Sequence, residues 1–198
     1  METRNVDAYA KMHRDQSYGT TAVRMRRYIE PWVQLAKPAR LLDYGAGQGR
    51  FGAVLEAPSV VERHLFDPAI PDIATLTRER YDYAICIDVL EHLEPDEVAP
   101  VLADVARLTD RALFIVTTAP AQAILPDGRN AHTTIRPGAW WGDRIRAAFG
   151  TAEAIPVWRK NRCGFKTYRS SPAEWAAFAV KLAEAQVRHH VAKAKRRG

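Results

Sequence analysis

The stretch Leu41-Leu42-Asp43-Tyr44-Gly45-Ala46-Gly47-Gln48-Gly49-Arg50-Phe51-Gly52 decides how this chain folds. A short apolar run ends at an acidic residue and gives way to glycines at alternate positions, which predicts a buried strand that turns sharply into a helix. Glycine is needed where the backbone takes positive φ or where a ligand approaches it closely, and the amides of the following helix then point at that ligand. The stretch therefore predicts a cofactor-binding turn.

The glycines alone do not identify the cofactor, because Gly47-x-Gly49-x-x-Gly52 also satisfies the dinucleotide fingerprint. The acid two residues before Gly45 is more informative. The carboxylate of Asp43 would repel a pyrophosphate. It would attract a ligand that carries an ammonium and a sulfonium group, by several kcal/mol before desolvation at an effective dielectric constant of about 20. This charge pattern favours S-adenosylmethionine (SAM).

Three segments resemble motifs of class I SAM-dependent methyltransferases. Leu41–Gly49 is similar to the first motif of that family, an acid-x-Gly-x-Gly-x-Gly pattern that follows a strand. Val60–Phe66 is a second strand candidate and ends at Asp67. Tyr81–Leu93 is similar to the family's fourth strand and contains its Asp-Val-Leu-Glu-His signature, which is the most specific of the three matches. Together the matches extend over roughly residues 40–118.

The resemblance implies a cofactor site built from the ends of these strands. Asp67 would bind the ribose hydroxyls, as an acid at about this separation does in the fold. His92 is assigned to structural or cofactor packing rather than to catalysis, and no metal site is predicted. The predicted cofactor-binding residues are Asp43, Tyr44, Gly45, Ala46, Gly47, Gly49, Asp67, Pro68, Asp88, Val89 and His92.

The predicted fold class is α/β, with a doubly wound, mostly parallel sheet whose last strand is antiparallel. The third strand is expected to be shortened. Too few residues separate Asp67 from Tyr81 to hold a helix and a strand, and prolines interrupt them, so only a stub at Ile73–Leu76 is expected. Ile70 and Asp72 are then the candidates for contacts with adenine.

The 198 residues are interpreted as one domain. Residues 1–38 would form N-terminal cap helices with lid candidates Arg14 and Tyr18, residues 39–170 the Rossmann-like core, and residues 171–198 a basic helix and tail. No apolar run reaches membrane-spanning length and no charged-then-apolar leader is present, so we expect a soluble, cytoplasmic protein. Cys86 and Cys163 lack metal or disulfide spacing and are expected to be free thiols.

The segment after the fifth strand candidate, Ala112–Thr118, should select the substrate. A turn at Pro126-Asp127-Gly128 and a helix that starts near Pro137 leave an exposed loop between them. This loop resembles one in small O- and N-methyltransferases, in which a histidine enters the substrate pocket. His132 is therefore the candidate catalytic base, since imidazole ordinarily titrates at about pH 6.5, with a purely structural role as the alternative. The candidate substrate-binding residues are Arg129, Arg136 and Trp140.

The predicted activity is methyl transfer to an oxygen, or with less support a nitrogen, of a small acceptor that could be anionic. The motif of DNA amino-methyltransferases and the Pro-Cys nucleophile of cytosine-C5 enzymes are both missing, so nucleic acid is a less favoured partner. The net charge of +6 and the basic C-terminus leave open a SAM-fold protein that binds nucleic acid or an RNA methyltransferase. A nicotinamide-dependent reductase is disfavoured by Asp43. The sequence gives no oligomeric state.

Overall fold

The computed structural model describes Val6, Tyr9, Ala10 and residues 20–195, with side chains for residues 21–191 of the long segment. The lid candidates Arg14 and Tyr18 lie outside the described residues. Six strands and five α-helices follow one another over the long segment, in the order α1 (Thr20–Ala36), β1 (Arg40–Tyr44), α2 (Arg50–Val54), β2 (Glu62–Phe66), β3 (Tyr83–Ile87), α3 (Val98–Leu108), β4 (Ala112–Thr117), α4 (Gly138–Phe149), β5 (Glu153–Ile155), β6 (Arg162–Lys166) and α5 (Pro172–Lys195).

The strands form one mixed sheet in the order β2-β1-β3-β4-β6-β5. β1 to β4 run parallel, whereas β6 is antiparallel to both of its neighbours. The fold class predicted from the sequence is confirmed. Because β1 to β4 are parallel, their carboxyl ends meet at one edge of the sheet, where ligands bind in open α/β sheets.

Each central strand is buried on both faces because helices cover the sheet on both sides. In β4, Phe114 and Val116 pack with α3 and α4, while Leu113 and Ile115 pack with α1 and α5. All residues of β3 and β4 are buried. Near-continuous apolar runs are what such strands require, and this explains why both were recognisable from the sequence.

The short third strand predicted after β2 does not form. Ile73–Leu76 is not a strand: a 3-10 turn at Pro71–Ile73 and a loop occupy this region, so β2 is an edge strand. Side chains of this loop contact side chains of β2. His64 Nδ1 lies 2.7 Å from Thr77 Oγ1, and Arg78 forms an ion pair with Glu62. Pro71 stands at the start of the turn, where it lacks the amide a strand would use.

The C-terminal sequence predicts a hairpin of two strands, Thr151–Trp158 and Cys163–Tyr168, and a capping box at Ser171–Glu174. The structure contains these elements, although both strands are shorter than predicted. The helix expected from Pro137 is α4, with Pro137 as its N-cap. The predicted hairpin forms as β5 and β6. The capping box at the start of α5 is present, since Ser171 N donates to Glu174 Oε2 (2.8 Å) and Glu174 N donates to Ser171 Oγ (3.2 Å). Cys86 and Cys163 are free thiols, as predicted.

A lysine lies in the interior where the hairpin meets the helices. The side chain of Lys166 has no exposed surface, and its ammonium donates to Glu153 and to the carbonyl oxygen of Tyr168 (2.7 Å). The rings of Trp32, Tyr168 and Trp175 surround the same nitrogen at 5.0, 4.4 and 5.7 Å. A buried ammonium is tolerated only with such partners, so this cluster fixes β6 against α1 and α5.

Within residues 20–195 no helix has the length and apolarity needed to cross a bilayer. The described part of the basic C-terminal segment continues α5, and one of its cations is engaged within the fold, because Arg188 pairs with the buried carboxylate of Glu30 at 3.1 Å.

Candidate active site

A cavity of about 500 Å³ opens at the carboxyl ends of the parallel strands. The ends of β1, β2, β3 and β4 contribute Asp43, Asp67, Asp88 and Thr117 to its wall. Of the residues predicted from the sequence, the cavity is lined by Asp43, Gly45, Ala46, Gly47, Asp67, Pro68, Asp88, Val89, His92 and His132. Strand order therefore brings together residues that lie far apart in the chain.

The glycine turn brings the main chain against the cavity. Gly45 has φ 77°, and its amide donates to the carbonyl oxygen of Phe66 (2.7 Å) at the end of β2. A Cβ atom at this position would lie 2.3 Å from Cγ2 of Val89, which itself lines the cavity. Only glycine fits here without displacing Val89, and the turn therefore has the close approach expected of a cofactor cradle.

Two predicted residues serve the turn without lining the cavity. Gly49 caps α2 with φ 67°, and a Cβ atom there would lie 2.6 Å from Cδ1 of Leu65. Tyr44 packs against Phe66 and donates its hydroxyl to Asp104 Oδ2 (3.1 Å) on α3. Gly49 therefore permits close packing of α2 on β2, and Tyr44 anchors β1 on the α3 side.

Asp43 faces the cavity as a buried acid. It is 6% exposed, and among the described residues nothing donates a hydrogen bond to its Oδ2. Burial, and to a smaller extent the charge of Asp67, raise the pKa of Asp43 to about 7. A buried carboxylate oxygen without a donor favours a ligand that supplies positive charge at this point.

Asp67 closes the glycine turn from the end of β2. Its Oδ2 accepts a hydrogen bond from the Gly47 amide (2.8 Å) and its Oδ1 accepts one from the Ala69 amide (2.9 Å). The carboxylate is thereby held at the cavity wall, and each oxygen keeps lone-pair capacity for a further donor. Pro68 and Ala69 line the same wall, whereas Ile70 and Asp72 do not.

Asp88 and Glu91 form a coupled pair after β3. Asp88 has φ 61°, and its Oδ1 accepts from Thr117 Oγ1 (2.7 Å) and from the Arg162 guanidinium (2.8 Å). Burial opposes ionisation of Asp88, but hydrogen bonds from Glu91 and Thr117 and the charge of Arg162 hold its pKa well below the usual range. Burial and the charge of Asp88 raise the pKa of Glu91 well above its ordinary value.

The orientation of His132 follows from its hydrogen bonds. Nδ1 lies 2.6 Å from the carbonyl oxygen of Ala119, which can only accept, so Nδ1 carries a proton and in the neutral ring Nε2 is the nitrogen with the lone pair. The ring packs edge-on against His92 with centroids 4.8 Å apart. Tyr9 covers this pair, since its hydroxyl donates to the carbonyl oxygen of Ala131 (2.8 Å). The fixed tautomer gives the cavity one basic nitrogen of known identity.

The structure places the three predicted substrate residues outside the cavity lining. Arg129 pairs with Asp127 (2.7 Å) and Glu94, and Arg136 lies over the ring of Trp140 at 5.9 Å. Among the described residues, Arg162 is the arginine that lines the cavity, and sequence reasoning missed it. Arg162 is opposite Thr117 in the β4–β6 ladder, so the predicted antiparallel last strand was the signal that could have located it.

The comparisons with known proteins concern the family and the fold of this chain. A family model described as a methyltransferase domain matches residues 18–162. No curated protein sequence is significantly similar to the chain.

Three solved structures illustrate the likeness. An O-methyltransferase family protein from Burkholderia thailandensis is 16% identical over 76% of this chain and 59% of its own, with a TM-score of 0.52. The mitomycin 7-O-methyltransferase MmcR is 14% identical over 82% and 53%, with a TM-score of 0.51. DhpI, solved as a complex with SAM and HEP, is 13% identical over 81% and 92%, with a TM-score of 0.51.

The chain thus spans less than two thirds of the first two of these neighbours, and at such low identity the likeness concerns the fold. The family model carries more weight because it extends from the start of α1 to the start of β6 and includes the glycine turn and the segment that bears His132. Since it covers well over half of the chain, this protein belongs to the methyltransferase domain family.

Proposed function

We propose that this protein transfers a methyl group from SAM to an oxygen, or with less support a nitrogen, of a small acceptor. The observation that carries the proposal is Asp43 Oδ2, a buried carboxylate oxygen that faces the cavity beside a glycine turn and has no donor among the described residues. The methionine end of SAM carries an ammonium and a sulfonium and would supply that charge. The neighbour DhpI was solved with SAM bound, which supports this choice.

The residues around Asp43 fit the rest of the cofactor. Asp67 would accept hydrogen bonds from the ribose hydroxyls, and Gly45 and Gly47 would let the ligand reach the main chain. A nicotinamide dinucleotide fits less well, because its pyrophosphate would face the carboxylates of Asp43 and Asp67 across the same wall. Calorimetric titration with SAM and with NADH tests the assignment, and preferential binding of NADH would refute it.

We propose His132 as the base that takes the acceptor's proton. Its Nε2 lone pair belongs to a ring that lines the cavity, next to the Pro120–Ala123 segment that closes the cavity beyond β4. As the acceptor oxygen attacks, a C–O bond forms and the C–S bond of the sulfonium breaks. Nε2 takes up the proton that the oxygen loses. An in-line approach and exclusion of water supply most of the remaining rate.

The acceptor is proposed to be a small molecule. One cavity of about 500 Å³ must hold both the cofactor and the acceptor's reacting part. Arg162 lines the cavity, whereas Arg129 and Arg136 do not, so Arg162 is the residue we propose for an anionic group on the acceptor. The nucleic-acid alternative rests on the basic C-terminal helix, and Arg188 within that helix is already paired with Glu30. Methyl-tritiated SAM with cell extract, followed by isolation of the labelled product, would identify the acceptor.

Replacing Asp67 by alanine should weaken SAM binding at least tenfold, because a charge-assisted hydrogen bond contributes about 1.5–3 kcal/mol. Calorimetry measures the affinity, and thermal unfolding monitors the loss of the bonds to Gly47 and Ala69. Asp72→Ala is the matched control, since Asp72 lies in the same loop but outside the cavity lining. Unchanged affinity in a folded Asp67→Ala protein would remove the ribose assignment.

SAM affinity should rise with pH through the pKa of Asp43, which is raised to about 7. The cation binds the ionised carboxylate, so by the titration curve we expect roughly tenfold weaker binding at about pH 6 than at pH 8. The raised pKa of Asp43 also makes the free energy of unfolding depend on pH, but in the opposite direction to SAM affinity. Between the ordinary value of 3.8 and about 7 the folded chain holds a proton that the unfolded chain has lost, so stability falls as pH rises through this window.

Calorimetry across this pH range checks the prediction, and Asp43→Asn supplies the control because an amide does not titrate there. A wild-type affinity that stays constant from pH 6 to 8 would contradict the placement of the sulfonium and ammonium beside Asp43.

A further inference from the structure

Three side-chain atoms that could bind a metal ion converge beside the cavity. A carboxylate oxygen of Asp88, one of Glu91 and a ring nitrogen of His132 all lie within 4.8 Å of one another. Asp88 and His132 line the cavity, and Glu91 is completely buried next to them. The three come from two segments that the fold brings together, the turn after β3 and the loop before α4.

The charges in this cluster do not balance within the described residues. The guanidinium of Arg162 can neutralise one carboxylate, and it binds Asp88 at 2.8 Å. Glu91 receives one hydrogen bond at Oε1, from the Thr117 amide (2.6 Å), while its Oε2 is buried and has no donor among the described residues. A second buried carboxylate requires either a proton or a cation.

The position of His132 favours a bound cation over a shared proton. Its Nδ1 donates to the Ala119 carbonyl, which leaves Nε2 as the nitrogen able to bind a cation. Metal-bound histidines in proteins have this arrangement, since the second ring nitrogen is held by a carbonyl or carboxylate that fixes the tautomer. A proton shared between Asp88 and Glu91 would not need an imidazole lone pair at the same point.

We propose that Asp88, Glu91 and His132 bind one divalent first-row cation of the Mn²⁺ class, which also binds the acceptor oxygen. Carboxylates suit Mg²⁺ and Mn²⁺ while imidazole selects for transition metals, and this mixed set suits Mn²⁺ best. The inference rests on the proposed function and changes the role of His132 in it. The acceptor is a hydroxyl compound, and His132 binds the cation that activates the hydroxyl instead of taking its proton.

The cation would act as a Lewis acid on the hydroxyl, so that its proton leaves to solvent at a lower pH than in free solution. The oxygen then forms the C–O bond as the C–S bond of SAM breaks with its electron pair on sulfur. One proton is released for each methyl group transferred, and no oxidant or reductant takes part.

The test is titration of the full chain with MnCl₂ after dialysis against EDTA, in the absence of SAM, with free Mn²⁺ followed by electron paramagnetic resonance. We expect one Mn²⁺ per chain, and at least about tenfold weaker binding in Glu91→Gln and in Asp88→Asn. In Glu91→Gln the new side-chain amide can still accept from the Thr117 amide and donate to Asp88, so the fold should survive this change. Asp127→Asn is the matched control, because it removes an exposed acid outside the cavity lining.

Failure of Mn²⁺ to bind, or equal binding by Glu91→Gln and wild type, would overturn the cation site and leave a shared proton as the account of this pair. Full methyl transfer by enzyme kept in EDTA would overturn it as well. None of these results bears on SAM binding, which calorimetry measures separately. Loss of the proposed function would appear as absence of SAM binding whatever the Mn²⁺ titration gives.

Discussion

Replacing His132 by alanine is expected to lower kcat by about 10²- to 10⁴-fold while leaving SAM affinity nearly unchanged. His132 lines the cavity beyond β4 and presents Nε2 there because Nδ1 is held by Ala119. Whether Nε2 takes the acceptor's proton or binds the cation that activates it, the alanine variant loses the step. Steady-state kinetics with the identified acceptor, together with calorimetry for SAM, measure both quantities.

A second substitution separates chemistry from loop positioning. His132→Asn keeps an N–H group that can donate to the Ala119 carbonyl, but it has no basic nitrogen. It should therefore lose turnover almost as severely as His132→Ala. His190→Ala is the control, since His190 is exposed on α5 outside the cavity lining. Wild-type turnover in His132→Asn would reduce this histidine to a structural role.

Replacing Gly45 by alanine should weaken SAM binding by on the order of 100-fold. The strain of an L-residue at positive φ, about 1–2 kcal/mol, lowers the stability of free and bound protein alike. Forcing a methyl group into the packed cavity wall costs about 1–3 kcal/mol, and this is the part that weakens binding. The new Cβ atom would lie 2.3 Å from Val89 Cγ2, and Val89 lines the cavity, so the displacement reaches the site itself. Calorimetry gives the affinity, and a thermal melt gives the change in stability.

Gly128→Ala isolates the steric part of this effect. Gly128 has φ 85°, close to the 77° of Gly45, but a Cβ atom there would have no heavy atom within 4 Å. Both variants carry comparable backbone strain, and only Gly45→Ala intrudes on the cavity wall. Equal SAM affinity in the two variants would mean that the turn does not contact the cofactor closely.

The part of the cavity wall at the carboxyl ends of the strands could be predicted because it depends on rules local to each strand. Asp43, Asp67 and Asp88 directly follow apolar runs, and parallel strands bring such positions to one edge. The glycine turn was recognisable from its residue types alone. Tyr44 lies outside the cavity lining since adjacent strand residues face opposite sides of a sheet, and no pattern showed that its hydroxyl reaches Asp104.

The cavity wall around His132 and Arg162 could be predicted less completely than the strand ends. His132 was placed by analogy with a loop, but the direction of Arg129 and Arg136 depends on ion pairs and ring contacts that no periodicity records. Arg162 reaches the cavity only through pairing of β6 with β4, and the burial of Glu91 follows from its bond to the Thr117 amide. The predicted antiparallel pairing of the last strand could have located Arg162, but no pattern of neighbouring residues marks either contact.

Chemical labelling of the buried Lys166 can measure how often the β5–β6 hairpin opens. Amine-reactive reagents label exposed lysines within minutes, whereas Lys166 has no accessible surface and its nitrogen is ringed by three aromatic side chains. Its labelling therefore requires the β5–β6 hairpin to detach from α1 and α5, in the manner of a local opening event. Arg162 lies at the other end of β6 and lines the cavity. The labelling rate of Lys166, measured by mass spectrometry with and without ligand, therefore reports how much a ligand in the cavity slows the opening of the hairpin.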